Sequence, residues 1–134
     1  MNLAIIPARS GSKRIINKNI KIFEGKPIIY YSILAAKLSG IFDKIIVSTD
    51  SKKIASISKK FGAEVPFLRS KKLSKDRTSI VEVISQELKK LKIRPNSSTK
   101  VCCIYPTAPM LKKFFLKEAY KKLTKNYDYV LSVK

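Results

Sequence analysis

The chain has 134 residues, 45% of them hydrophobic, which is enough to bury a core as one domain over residues 1–134. Its apolar runs are too short to cross a bilayer, and its N-terminus lacks the features of a secretion signal, so we expect a cytoplasmic protein with no membrane partner. Lys and Arg total 29 against 9 acidic residues, a formal net charge of +20. Because the lysines recur in pairs at helical spacing without interleaved aromatic residues, the charge favours solvated faces over a specific nucleic-acid site.

Short apolar segments alternate with amphipathic segments along the chain. We predict strands at 3–6, 44–48, 100–105 and 127–133, a short extended piece at 64–67, and helices at 27–39, 52–61, 79–92 and 113–124. Strand residues 45–47 and 101–104 are entirely apolar, which is typical of parallel strands covered on both faces. The alternation therefore predicts an α/β fold with a doubly wound, mainly parallel sheet and right-handed crossovers.

The first predicted strand opens into a loop of small, hydroxyl and basic residues at 7–19. Gly11 lets the backbone approach an anion closely, and Ser10 and Ser12 add hydroxyl donors. Arg9 and Lys18 can offset the charge of a polyphosphate. These residues alone fit either a phosphate-binding loop or a solvated basic loop, and they lack the Gly-Lys-Ser/Thr of a P-loop.

Polar residues also follow the next two predicted strands. Asp50 comes after the strand at 44–48, and Tyr105 to Pro109 follow the strand at 100–105. The carboxyl ends of parallel strands meet at one rim of a sheet, where ligands of such folds bind. We therefore expect the basic loop, Asp50 and the 105–109 segment to lie together at a nucleotide site.

Several polar side chains of the sequence have structural roles open to them as alternatives to ligand binding. Asp50 precedes a predicted helix and is expected to N-cap it. Ser79 has a glutamate at capping-box spacing, although a helix N-terminus can cap and bind phosphate at once. Arg69 is open to a surface ion pair with Asp76 or Glu64.

Three residues of the third long strand also invite structural readings. Tyr105 can be a strand-end aromatic residue with a solvated hydroxyl. Cys102 and Cys103 are adjacent, so on a strand they point to opposite faces and are poorly placed to bridge each other. We interpret both cysteines as small hydrophobic residues without a metal or redox role.

Five segments, in this order, carry a family resemblance: residues 5–14 with 18–19, 25–28, 47–51, 65–69 with 73–79, and 102–109. Their wording resembles that of the CMP-sugar synthetases, the cytidylyltransferases that activate nine-carbon acidic sugars. Tyr-Pro-Thr-Ala-Pro at 105–109 is most similar to the pseudaminic acid branch, since the sialic acid (N-acylneuraminate) branch usually has Gln in place of Tyr105. The match spans almost the whole chain but only the N-terminal part of the family, so we expect a Rossmann-like nucleotidyltransferase domain without its C-terminal part.

The resemblance implies transfer of CMP from CTP to the anomeric hydroxyl of a nine-carbon 2-keto acid sugar, with release of pyrophosphate. It implies catalytic roles for Arg9 and Lys18. It implies nucleotide contacts by Ala8, Arg9, Ser10, Gly11, Ser12, Lys18, Asn19, Arg69, Thr78 and Ser79, and sugar contacts by Tyr105, Thr107 and Ala108. It also implies Mg²⁺ as cofactor and a homodimer in the full-length form, but we identify no metal ligand in this sequence.

Two departures from the family leave other functions open. Ile16 and Asn17 stand where the family commonly has a proline and a basic residue, so the loop is expected to be less rigid and Lys18 less well aimed. Without metal ligands, the chain could be a CTP-binding module that does no efficient chemistry. A basic polyanion-binding protein is a third reading, based on charge alone. We further expect the strand at 127–133 to leave an open sheet edge that promotes self-association.

Overall fold

The computed structural model describes residues 1–70, 78–94, 96, 98–123 and 127–133. Its strands are β1 (Asn2–Pro7), β2 (Ile22–Phe23), β3 (Lys26–Pro27), β4 (Lys44–Ser48) and β5 (Lys100–Cys103). Its α-helices are α1 (Ile29–Ser39), α2 (Lys52–Lys60), α3 (Ile80–Lys90) and α4 (Lys113–Lys122), and a 3-10 helix covers Lys18–Ile20.

The three longer strands form a parallel sheet in the order β4-β1-β5. In the register of β1 with β4, Leu3 lies opposite Lys44 and Pro7 opposite Ser48. On the other side of β1, Asn2 lies opposite Lys100 and the pairing ends at Ile5. The central strand is therefore the first one in the chain, and it is buried along its length.

Helices pack on both faces of this sheet, and successive β1 side chains point to opposite faces. Ala4 and Ile6 belong to the main core, together with buried residues of α1, α2 and α4. Leu3 and Ile5 face the other way and pack with Leu88 of α3. This arrangement confirms the predicted doubly wound α/β fold, and truncating a buried side chain such as Leu3 is expected to cost about 2–5 kcal/mol of stability.

The predicted helix at 27–39 begins later than expected, at Ile29. Pro27 lies instead in β3, opposite Ile22 of the antiparallel β2–β3 ribbon. Glu24 and Gly25 form the tight turn of this ribbon and both have positive φ angles, 45° and 76°. Ribbon formation therefore places Pro27 before the helix, and its missing N–H fits an edge strand equally well.

The predicted strand at 127–133 is wrong. Its residues that the structure describes form no strand, and four of their large apolar side chains are exposed, from 63% for Tyr127 to 89% for Val133, while Val130 is half-buried. Alternating apolar residues become a strand only when a neighbouring strand takes up their backbone hydrogen bonds. The expectation of an open sheet edge at this segment is therefore also wrong. Within the described residues, the outer strands of the sheet are β4 and β5.

Of the extended piece predicted at 64–67, only Glu64 pairs with β4, in a single parallel bridge to Ile46. The Val47 amide donates to the Glu64 carbonyl at 2.9 Å, and the Glu64 amide donates to the Ile45 carbonyl at 2.8 Å. After this bridge the chain passes the carboxyl end of β4, where the Arg69 amide donates to the Thr49 carbonyl at 2.7 Å.

Candidate functional site

A crevice of about 190 Å³ opens beyond the carboxyl ends of β1 and β5. The chain leaves β1 through α1 on one face and reaches β5 through α3 on the other, so the topological switch point lies between these two strands. Ligands of open α/β sheets bind at this place. The crevice therefore lies at the rim where the sequence predicts a nucleotide site.

Eight of the residues predicted from the sequence line this crevice. They are Arg9, Ser12, Lys18, Asn19, Arg69, Thr78, Tyr105 and Thr107. Four other lining residues, Pro7, Ile80, Val83 and Pro106, are not among the predicted site residues. Pro7 and Pro106 nevertheless lie in the segments at 5–14 and 102–109 that carry the family resemblance, whereas Ile80 and Val83 are apolar residues of α3. Segments separated by up to about a hundred residues thus converge on one cavity.

The other five predicted residues lie around the crevice without lining it. Ala8 is fully buried, and its amide donates to the Ser48 carbonyl at 2.8 Å. Ser10 is held by Asp50, and the Ser12 amide donates to the Ser10 carbonyl at 2.9 Å. The amides of Ala8, Ser10 and Ser12 are therefore used within the protein in this conformation. From this loop, Arg9, Ser12 and Lys18 line the crevice.

Ser79, another of the five, caps α3 in a full capping box. Its hydroxyl accepts from the Glu82 amide at 3.2 Å, and its own amide donates to the Glu82 carboxylate at 2.8 Å. This confirms the structural reading of Ser79. The remaining two residues, Gly11 and Ala108, lie on the loops after β1 and β5, and Gly11 is exposed.

Asp50 holds the basic loop and does not cap a helix, so the expectation that it N-caps α2 is wrong. The N-cap is Ser51, whose hydroxyl accepts from the Ile54 amide at 3.3 Å. Both Asp50 carboxylate oxygens instead accept from Ser10, one from its amide and one from its hydroxyl, each at 2.8 Å. The loop after β1 is thereby fixed to the end of β4.

Arg69 is buried in the crevice wall, with 6% of its surface exposed. Its amide donates to the Thr49 carbonyl at 2.7 Å, and its guanidinium donates to the Ser48 carbonyl. Burial lowers the pKa of Arg69, the carboxylates of Asp50 and Glu87 oppose that shift, and the Arg9 charge adds to it.

The surface ion pair considered for Arg69 does not form with Glu64, whose carboxylate lies 3.7 Å from the Lys44 ammonium. Asp76, the other partner considered, lies outside the described residues. Arg69 is therefore an interior cation at the crevice.

Glu87 is a buried acid of α3 that contacts the end of β4. It is 4% exposed on α3, and its carboxylate accepts a hydrogen bond from the Ser48 hydroxyl. Burial raises the pKa of Glu87, against the hydrogen bond from Ser48 and the charges of Arg69 and Lys90. The sequence signal was a carboxylate on the apolar stripe of α3, where a buried acid requires a polar partner.

Asn19 presents an acceptor to the crevice. It is 5% exposed, and its side-chain amide donates to the Arg9 carbonyl at 2.8 Å. Its Oδ1 is buried and has no hydrogen-bond partner among the described residues. Buried polar atoms are almost always paired, so this oxygen is a candidate acceptor for a donor group that enters the crevice wall.

Asn17 fits its position in the loop because it adopts a left-handed conformation, with φ at 53°. Asparagine tolerates that conformation better than most residues. The turn starts the 3-10 helix, which buries Asn19 and leaves Lys18 exposed at the crevice. The departure from the family at this position is thus compatible with an ordered loop.

The described residues do not fit a site for the implied Mg²⁺. They contain no group of three or more His, Cys, Asp or Glu side chains able to hold a metal ion. Both oxygens of Asp50 accept hydrogen bonds from Ser10, and Glu87 is buried against Ser48.

The described helices include none that is long and apolar enough to cross a membrane.

Cys102 and Cys103 are free and half-buried in β5, which agrees with the interpretation that they do not bridge each other. Burial raises the pKa of the Cys102 thiol to about 11 and also raises that of Cys103. Neither thiol lines the crevice.

Comparison with solved structures supports the fold. A CMP:2-keto-3-deoxy-manno-octonic acid synthetase complexed with CTP superposes with a TM-score of 0.75 at 19% identity, over 91% of this chain and 46% of that one. A cytidylyltransferase from Leptospira borgpetersenii gives a TM-score of 0.71 at 19% identity, over 95% of this chain and 50% of that one. At these identities the likeness concerns the fold alone.

Sequence comparison goes further. The chain is 48% identical to the pseudaminic acid cytidylyltransferase of Campylobacter jejuni, over 93% of this chain and 54% of that protein. It is 39% identical to the CMP-N,N'-diacetyllegionaminic acid synthase of Legionella pneumophila (87% and 50%) and 43% identical to the N-acylneuraminate cytidylyltransferase of Oncorhynchus mykiss (91% and 27%). It thus spans about half the length of the first two relatives.

A sequence model of one family, described as cytidylyltransferase, matches residues 3–134. That span includes the basic loop, Arg69 and the segment after β5, which together line the crevice. By its sequence match, and in agreement with its fold, the chain belongs to the cytidylyltransferase family.

Proposed function

We propose that the crevice binds CTP and serves transfer of CMP to the anomeric hydroxyl of a nine-carbon 2-keto acid sugar of the pseudaminic or sialic acid type. The observation that carries this proposal is the convergence of Arg9, Lys18 and Arg69 on one cavity at the switch point of the sheet. Three cations beside a buried acceptor, Asn19 Oδ1, suit a polyphosphate attached to a group with N–H or O–H donors.

In the proposed reaction, the anomeric oxygen forms a bond to the α-phosphorus of CTP. The bond from that phosphorus to the bridging oxygen of pyrophosphate breaks, and the hydroxyl proton is released. Negative charge grows on the leaving pyrophosphate, so Arg9 and Lys18 are proposed to stabilise it. No covalent intermediate with the protein is required.

The remaining residues receive supporting roles in this proposal. Ser12, Asn19 and Thr78 contact the nucleotide from the crevice wall, while Ala8, Ser10, Gly11 and Ser79 shape the backbone around it. Tyr105, Thr107 and Ala108 lie on the segment after β5 and are proposed to meet the sugar. Tyr105 is 63% exposed, so its hydroxyl is accessible to a bound acceptor.

Mg²⁺, a homodimeric full-length form and a cytoplasmic location are proposed from the family resemblance. Because the described residues do not fit a metal site, no step here passes through Mg²⁺. The same observation favours a second candidate function, a module that binds CTP with little turnover.

Calorimetric titration with CTP, UTP, ATP and GTP tests the nucleotide site. We expect CTP to bind at least tenfold more tightly than the others, because only base contacts can distinguish triphosphates. Equal affinities for all four would contradict the proposal, since a chain of net charge +20 attracts any triphosphate. A pyrophosphate-release assay with CTP, Mg²⁺ and pseudaminic or sialic acid then separates the two candidate functions.

A further inference from the structure

Ser48, the last residue of β4, connects α3 to the wall of the crevice through both of its polar groups. Its hydroxyl donates to the Glu87 carboxylate, and its carbonyl accepts from the Arg69 guanidinium. The same carbonyl accepts from the Ala8 amide at 2.8 Å. Ser48 is 1% exposed, so water does not compete for these contacts. One buried residue thus joins an acid of α3 to a cation that lines the crevice.

Glu87 lies behind the crevice wall. Ile80 and Val83, which precede it on α3, line the crevice, whereas Glu87 does not. Burying a carboxylate costs free energy even when it is hydrogen-bonded, and a methionine would fill similar space on the apolar stripe without that cost. The carboxylate at this position therefore indicates a role that packing alone does not supply.

Arg69 is a long side chain whose direction depends on the end of β4. Its amide donates to the Thr49 carbonyl at 2.7 Å, and its guanidinium donates to the carbonyl of the preceding residue, Ser48. Burial lowers the pKa of Arg69 and raises the pKa of Glu87, and the charge of each group opposes the shift of the other. The acid and the cation are therefore coupled by charge as well as through Ser48.

We propose that Glu87 is a positioning residue of the nucleotide site: by accepting from the Ser48 hydroxyl, it fixes the carbonyl that directs the Arg69 guanidinium. The proposal rests on the proposed function, because it takes the ligand of Arg69 to be CTP. Glu87 acts through Ser48 and touches no ligand. A cation that is already fixed loses less side-chain freedom when an anion binds, so the affinity is higher.

The positioning can be measured without any nucleotide. NMR of protein labelled with ¹⁵N-arginine reports how fast each guanidinium rotates, and the Arg69→Met variant identifies the Arg69 signals. We expect slow rotation of the Arg69 guanidinium in the unmodified protein and faster rotation in both Glu87→Met and Ser48→Ala. Unchanged rotation in both variants would overturn the proposal.

Calorimetric titration with CTP then tests whether the positioning matters for binding. Glu87→Met removes the acceptor and should weaken CTP binding about fivefold, a typical coupling between residues of one network. Glu87→Gln loses the same charge but keeps an oxygen that can accept from Ser48, so its affinity should stay within about twofold of wild type. In the Arg69→Met background, Glu87→Met should change the affinity by less than about twofold, because the cation that it positions is gone.

The double variant Ser48→Ala/Glu87→Met separates positioning from stability. Each single change leaves a buried polar group unpaired and should lower the melting temperature, whereas the double change removes both partners and should restore part of it. CTP binding should nevertheless remain about fivefold weaker than in wild type, because the connection to Arg69 is still broken. Affinity that recovers together with stability would make Glu87 a structural residue only.

Ser58→Ala is the matched control for loss of a buried hydroxyl. Ser58 is 0% exposed on α2, and its hydroxyl donates to the Ile54 carbonyl at 2.8 Å, away from the crevice. This variant should leave the CTP affinity and the Arg69 signals unchanged. An affinity loss equal to that of Ser48→Ala would show that any buried hydroxyl has this effect, which overturns the assignment to Glu87.

The two proposals fail in different ways. An unmodified protein that does not prefer CTP contradicts the proposed function, while the rotation of the Arg69 guanidinium still decides whether Glu87 positions it. Selective CTP binding with equal affinity in wild type and Glu87→Met overturns the positioning role alone.

Discussion

Ser10 and Asp50 form a two-point contact in which both carboxylate oxygens accept from one serine, at 2.8 Å each. The contact joins the loop after β1 to the residue that follows β4. It holds the chain between Arg9 and Ser12, two residues that line the crevice. Asp50 therefore has two opposing effects on the binding of an anionic ligand. Its hydrogen bonds hold the basic loop in place, which favours binding, whereas its negative charge repels the ligand.

Asp50→Ala is expected to weaken CTP binding about tenfold. Removing a negative charge near the crevice should by itself favour an anion, but release of the loop should outweigh it, because hydrogen bonds to a charged group are worth about 1.5–3 kcal/mol. Calorimetry with CTP measures the net effect. Tighter binding by the variant would show that the bracing is unimportant, and Ser10→Ala, which removes only the hydroxyl contact, should give a smaller loss.

Lys18→Ala is expected to lower CTP affinity about tenfold, roughly 1.4 kcal/mol. The reason is that this lysine lines the crevice, whereas most of the other lysines lie elsewhere. Lys117→Ala on the exposed side of α4 removes the same charge and serves as the control. Similar losses in the two variants would mean that the affinity reflects net charge.

Arg9→Ala is expected to slow pyrophosphate release by about 2–3 kcal/mol of transition-state stabilisation, in a catalytically complete protein that contains this segment. Thermal unfolding should change little, since Arg9 lies on a loop and is only half-buried. Steady-state kinetics and a melting curve of the same preparation provide the measurement. A variant that unfolds would identify Arg9 as a structural residue.

Glu87→Gln is expected to change how stability depends on pH. Burial raises the pKa of Glu87 above its ordinary value of 4.5, so the folded state binds a proton at higher pH than the unfolded state. The stabilisation from this group is fully present below pH 4.5 and is lost as the pH rises through the folded-state pKa. Wild type should lose stability in that window, and the Gln variant should lose less.

Urea unfolding between pH 4 and 8 measures this difference. Glu118→Gln, on the exposed face of α4, removes the same charge from the surface and is the matched control. An identical pH slope in Glu87→Gln and wild type would contradict a buried, titrating Glu87.

The sequence predicted the sheet and the crevice well because both depend on local patterns. Apolar runs such as Ile45-Ile46-Val47 are typical of buried strands, and parallel strands bring the residues after them to one rim. The structure accordingly brings Arg9, Lys18 and Tyr105 to one cavity.

The failures involve partners that a linear pattern does not contain. Asp50 precedes a helix, but its carboxylate is taken by Ser10, forty positions earlier. The spacing of Glu87 places it on the apolar stripe of α3, but that pattern does not show that its carboxylate accepts a hydrogen bond from Ser48. The segment at 127–133 alternates like a strand but lacks a neighbouring strand among the described residues.

The placement of the first strand in the centre of the sheet governs how the chain can fold. β1 pairs with residues 44–48 on one side and with residues 100–103 on the other, so the second pairing joins positions about a hundred residues apart. Such distant contacts close large loops and slow folding. During synthesis, both edges of the apolar β1 can therefore be paired only after residues 100–103 have been made. Refolding should be slow, and concentrated protein should be most prone to aggregate before β5 docks.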